Sequence, residues 1–89
     1  KPVILDFFAD WCGPCRHMAP LIEQLAGEWS ESYFFGKVDI AEDRALAIDH
    51  GISAIPTLIF YRNGKQVGAV SGFLSKEEIK AKLVSIFGQ

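Results

Sequence analysis

The sequence predicts an α/β fold: one mixed four-stranded sheet, in the order β-α-β-α-β-β-α, with helices on both faces. Three observations carry this expectation. A short apolar run, Val3–Phe8, is followed by apolar residues at three- and four-residue spacing and then by a second apolar run over residues 34–40. Strand, helix, strand in that order implies a right-handed crossover and a parallel pair. Two later apolar runs flank Asn63-Gly64, the strongest short hairpin signal, because both turn residues need positive φ.

Each element has its own local reason. Val3–Phe8 is apolar except for Asp6, a length and pattern that suit a strand covered on both faces. Residues 9–15 hold a strand-to-helix turn, since Pro14 is tolerated only near a helix start. The helix should run to about residue 29, with Met18, Leu21, Ile22, Leu25 and Trp29 on one buried face. Pro20, inside it, should kink it. Residues 34–40 form the second strand. Residues 42–50 suit a short helix with Ala45, Leu46 and Ile48 turned inward and Gly51 as the stop. Thr57–Arg62 and residues 66–71 are the hairpin strands. Ser75 caps the last helix, Glu78 completes a Ser-x-x-Glu capping box, and Ile79, Leu83, Ile86 and Phe87 form its apolar stripe. No repeat, linker or low-complexity tract interrupts the pattern, so residues 1–89 read as a single domain.

Composition narrows the function. About half of the 89 residues are apolar and eleven are aromatic, which suits a packed core. The formal charge is −2 with both signs mixed along the chain. No basic stripe is available for a phosphate backbone, which argues against nucleic acid. No apolar run approaches the ~20 residues of a membrane span, and the chain does not open on a charged-then-apolar leader pattern. The two cysteines are too few for a disulfide-stapled scaffold.

Their spacing points to redox chemistry. Cys12 and Cys15 are three apart at a helix start, neighbours on one turn and close enough to form a disulfide. The helix N-terminus carries partial positive charge and free N–H groups, which favour a thiolate at Cys12. Cys12, at the turn, should be the more exposed sulfur and Cys15 the more buried. Exchange would then run in two steps, with Cys12 attacking a target disulfide and Cys15 resolving the mixed disulfide. Two other readings stand beside this one. A disulfide that only staples the turn closes a very short loop and gains little. A zinc site would need His17 and His50 besides the two sulfurs, and His17 tends to face away from Cys15.

Beyond the pair, Trp11-Cys12-Gly13-Pro14-Cys15 resembles the thioredoxin family. The likeness extends to Leu5-Asp6-Phe7-Phe8-Ala9, Ala19-Pro20, Gly51-Ile52, Ile55-Pro56-Thr57-Leu58, Asn63-Gly64 and Gly72. It spans essentially the whole chain and implies a thioredoxin-like fold and reduction of protein disulfides. It also implies Cys12 as nucleophile and Cys15 as resolving thiol. Asp6 matches the family's buried carboxylate, placed to exchange a proton with the inner sulfur. Burial in an apolar strand should itself raise its pKa toward neutrality. Lys37 matches a lysine near that acid. Ile55-Pro56 matches a loop with a cis proline facing the cysteines, whose backbone pairs with an extended substrate. Trp11, Gly13, Pro14 and Gly72 complete the implied substrate-binding set.

The resemblance also implies no cofactor beyond the redox-active disulfide. Electrons would come from a separate thioredoxin reductase, and the partners would be disulfide-containing client proteins, with no nucleic acid or membrane. A cytoplasmic monomer is the expected setting. Gly13-Pro14 resembles the reducing type, since oxidants and isomerases of this fold usually place a histidine between the cysteines. A dedicated carrier with a narrow client in the cell envelope, or a redox-inactive binding module, are the alternatives. The family usually begins with an additional strand and helix ahead of Val3. Without them, residues 34–40 should lie at the sheet edge, where Phe34 and Phe35 are a pairing hazard.

Overall fold

Alternation along the first strand decides which side chains meet which helix. In a strand, successive side chains point to opposite faces, so Ile4, Asp6 and Phe8 share one face and Val3, Leu5 and Phe7 the other. The structure, a computed structural model, describes residues 1–88. Its elements are β1 (Val3–Phe8), α1 (Gly13–Glu28), β2 (Phe34–Asp39), α2 (Arg44–Asp49), β3 (Thr57–Arg62), β4 (Lys65–Ser71) and α3 (Lys76–Phe87). The sheet order is β2-β1-β3-β4. β1 pairs parallel with β2 and antiparallel with β3, and β3 pairs antiparallel with β4.

The two faces of the sheet are covered differently. Ile4, Leu58 and Phe60 pack against Met18, Ile22 and Leu25 of α1 and Ile79 and Leu83 of α3. Full burial of each such side chain stabilises the fold by about 1.5–3 kcal/mol, so this face carries most of the core. On the opposite face, Phe7, Val38 and Ile59 form a smaller cluster with Leu46 and Ile52 packed against it. Helices therefore lie on both faces, as the sequence predicts, and Asp6 falls on the α1 side.

Local signals hold where they are strong. Asn63 and Gly64 have φ of 52° and 78° and join Arg62 to Lys65 in a two-residue hairpin. In the capping box of α3, Ser75 Oγ accepts from the Glu78 N–H at 3.1 Å and Glu78 Oε1 accepts from the Ser75 N–H at 2.9 Å. α1 is a single helix through Pro20. β2 lies at the sheet edge with Phe34 exposed.

The second helix departs from expectation. It starts at Arg44 rather than residue 42, because Asp43 caps it, its carboxylate accepting from the Leu46 N–H. Ala45 and Ile48 are exposed, Ile48 by 71%, and the inward residue is Ala47 with Leu46 beside it. Each residue turns about 100° around a helix, so with Ala47 facing the sheet, Ile48 swings out to solvent. Elsewhere the bounds differ by one residue, at the ends of α1, α2 and β2 and at the start of β4.

Candidate active site

β1 ends at Phe8, and the chain reverses in a tight turn in which the Cys12 N–H donates to the Ala9 carbonyl at 3.1 Å. Cys12 is the N-cap of α1, with extended backbone (φ −91°, ψ 111°), and Pro14 lies in the first turn, where its missing N–H costs nothing. The Cys12 Sγ accepts from the Cys15 N–H at 3.2 Å, in the way a capping oxygen would. The two cysteines form a disulfide with Cα atoms 5.2 Å apart. No acid occupies the first turn of α1, so no side chain of the helix itself offsets the positive end that favours an anionic sulfur. Cys12 is the more exposed of the two, as expected, but only by a small margin: it is 7% exposed against 4% for Cys15. Its sulfur is drawn into the helix end by that hydrogen bond, and Phe8, Ile40 and Ile55 pack against the pair.

Asp6 lies on the same side of the sheet as α1. It is 3% exposed, and its Oδ1 has no hydrogen-bond partner among the described residues. Loss of hydration raises the carboxyl from its ordinary 3.8 to about 6, with the Lys37 ammonium opposing the rise. Lys37 is the register partner of Asp6 on β2. It does not close an ion pair with Asp6; its Nζ stands 4.6 Å from the centre of the Phe8 ring. A cleft of about 90 Å³ joins Asp6 to Cys15, with Lys37 and Arg16 also on its walls. That is space for a few water molecules.

A second loop closes on the pair from β3. The Ile55–Pro56 peptide bond is cis, Pro56 is buried, and Ile55 packs on the cysteines. The Pro56 carbonyl accepts from the Gly72 N–H at 2.8 Å. Gly72 has φ of 95°, a backbone geometry that side chains resist. Trp11, next to Cys12 in the chain, is 71% exposed.

This arrangement has close relatives. The family model described as Thioredoxin matches residues 1–85. The thioredoxin of Alicyclobacillus acidocaldarius subsp. acidocaldarius is 38% identical over 86 residues, which is 97% of this chain and 82% of that protein. The thioredoxin of Chlamydia caviae is 46% identical over 86% of this chain and 74% of its own length. Thioredoxin-2 of Saccharomyces cerevisiae is 47% identical over 81% and 68%. The chain belongs to the thioredoxin family. It has a thioredoxin-like fold and is a thiol–disulfide oxidoreductase.

Within this thioredoxin-family domain, the residues singled out from sequence fall into one region. Cys12, Cys15 and Ile55 share one apolar cluster. Asp6 and Lys37 line the cleft below it, and Pro56 and Gly72 are tied by a backbone bond. Gly13 and Pro14 form the helix start between the sulfurs. The zinc alternative loses its ligand set: His50 packs against Phe7 and Tyr61 on the α2 face, with its Nδ1 on the Leu46 carbonyl at 2.8 Å. Among the described residues, no three His, Cys, Asp or Glu cluster so as to hold a metal, and no helix is long and apolar enough to cross a membrane. Sequence reading missed three residues. Thr57, buried, donates to the Ala54 carbonyl and bonds Ser71 Oγ at 2.9 Å, which braces the proline loop. Phe73 follows Gly72 and is half exposed. Arg16 reaches back to the Asp10 carbonyl. Only Arg16 carried a signal, a cation directly after the pair.

Proposed function

We propose that this chain reduces disulfides in client proteins, with electrons drawn from a separate thioredoxin reductase. The observation that carries the reading is the placement of Cys12 at the positive end of α1, with Cys15 behind it and a buried carboxyl, Asp6, on the cleft that Cys15 lines.

The roles follow from that placement. The Cys12 thiolate attacks one sulfur of a client disulfide. A Cys12–client bond forms, the client S–S bond breaks, and the second client sulfur leaves as a thiolate that takes a proton from water. Asp6, ionised because its carboxyl titrates at about 6, then accepts the Cys15 proton. The Cys15 sulfur attacks Cys12, the Cys12–client bond breaks, and the Cys12–Cys15 disulfide forms as the client departs with two electrons gained. Lys37 holds the carboxyl's value near neutrality rather than higher. Trp11, Gly13, Pro14, Ile55, Pro56 and Gly72 bind the client chain, which lies extended along the backbone before Pro56. No cofactor takes part besides the disulfide itself. A reducing role belongs in the cytoplasm, where thiol pools stay reduced.

Insulin reduction, driven by dithiothreitol or by a reductase, tests the reading. The chain should precipitate insulin B chain well above the reductant-only rate. Turnover at background would remove the proposal. A potential measured against a thiol buffer should fall on the reducing side, toward the family reference of about −270 mV rather than the about −120 mV of a periplasmic oxidant.

A further inference from the structure

Four charged side chains line the cleft beneath the cysteine pair, each from a different part of the chain: Asp6 from β1, Asp10 from the turn, Arg16 from α1 and Lys37 from β2. The proposed reaction uses Asp6 and Lys37 and leaves Arg16 without a task. On stability grounds its position is unfavourable. A cation near the start of a helix opposes the macrodipole, and Arg16 is the fourth residue of α1, whose first turn holds no compensating acid. The side chain is nonetheless anchored. Its Nη1 donates to the Asp10 carbonyl at 2.9 Å, running backward from the helix to the turn that precedes Cys12. That anchor keeps the guanidinium on the wall of the cleft that Cys15 and Asp6 share.

We propose that Arg16 is a positioning residue for the second exchange step: fixed on the Asp10 carbonyl, it sets a permanent positive charge beside the path along which negative charge passes through Cys15. The inference rests on the reductase reading above. In that step the proton moves from Cys15 to Asp6, the Cys15–Cys12 bond forms, and the Cys12–client bond breaks with its electron pair going to the client sulfur. The negative charge therefore starts on Asp6 and crosses Cys15 before it leaves. Lys37 serves the start of this path, since it is the register partner of Asp6 and its ammonium rests over Phe8. Arg16 comes from α1, the element that carries Cys15, and so serves the later part. Asp10 brings a carboxylate to the same wall and tempers the field, as does water, because Arg16 is exposed.

The test follows the reaction of the reduced chain with dithiobis-nitrobenzoate. The first chromophore released reports attack by Cys12, and the second reports displacement by Cys15. Arg16→Met removes charge and anchor, Arg16→Gln removes charge and keeps an N–H donor, and Arg16→Lys keeps the charge. With screening, the expected effect is modest: the second release should slow about threefold in both neutral variants. Its pH midpoint should move upward in both, and Arg16→Lys should return both readings toward wild type. A merely structural contact would not move that midpoint. Wild-type rates and midpoints in both neutral variants would overturn the inference. So would a change confined to Arg16→Met, which would mean lost packing rather than lost charge. Should Arg16→Met not fold, Arg16→Gln decides alone. If wild-type chain reduces insulin while the neutral variants behave as wild type, only the role of Arg16 fails. If wild-type chain does not reduce insulin, the reductase reading itself fails.

Discussion

Replacing Asp6 by Asn should stabilise the fold above neutral pH while slowing the second exchange step. Burial lifts the carboxyl from 3.8 to about 6, and each pH unit corresponds to about 1.4 kcal/mol. The ionised carboxylate is thus penalised by about 3 kcal/mol in the folded chain. An acid whose value is raised binds more protons when folded than when unfolded between those two values. Wild-type stability should therefore fall as pH rises from 3.8 to about 6 and stay reduced above that window. Asn cannot ionise, so its variant should lack that decline. Its amide also needs partners in a site where Asp6 Oδ1 already has none among the described residues, which takes back about 1 kcal/mol. The expected net gain is about 2 kcal/mol at about pH 8, with wild type equal to or above the variant at about pH 4. Urea unfolding of oxidised protein at both pH values measures it, through midpoints at constant m. Equal stabilities at the higher pH, or parallel pH profiles for the two proteins, would refute the claim that a charge is buried at Asp6 without compensation.

Two further outcomes follow from the geometry. Cys15→Ser leaves Cys12 able to attack and nothing able to resolve, so it should accumulate mixed disulfides with client proteins, visible on non-reducing gels; Cys12→Ser should accumulate far fewer. Ser75→Ala removes one half of the reciprocal cap of α3, and should lower stability by about 1 kcal/mol in urea without altering insulin reduction.

How much was legible in the sequence tracks how local each determinant is. Asn63-Gly64 and Ser75-x-x-Glu78 specify their turns through their own backbone and side-chain chemistry, and both are found as read. The amphipathic face of α1 survives at Met18, Ile22 and Leu25 because its spacing repeats over four turns, while Leu21, at the margin of that face, is only half-buried. In α2, six residues long, one rotation of the helix moves Ile48 from core to solvent, and only packing against Phe7 and Val38 decides that rotation. The site shows the same division. Cys12, Cys15, Asp6 and Pro56 could be named from motif and burial pattern. The order of exposure within the pair was legible too, but not how deeply Cys12 is buried, because that depends on where its sulfur turns within the first helical turn. Thr57 was missed because its contacts, with the Ala54 carbonyl and Ser71, are not announced by residue type; Arg16 offered only its charge beside the pair, not its bond to the Asp10 carbonyl.

Selective alkylation of the reduced protein near neutral pH, with the modified residue identified by peptide mapping, bears most directly on the central claim. Cys12 should react faster than free cysteine, with a pH midpoint below the free-thiol value of about 8.5, while Cys15 stays protected. A Cys12 no faster than free cysteine, or a Cys15 modified first, would contradict it.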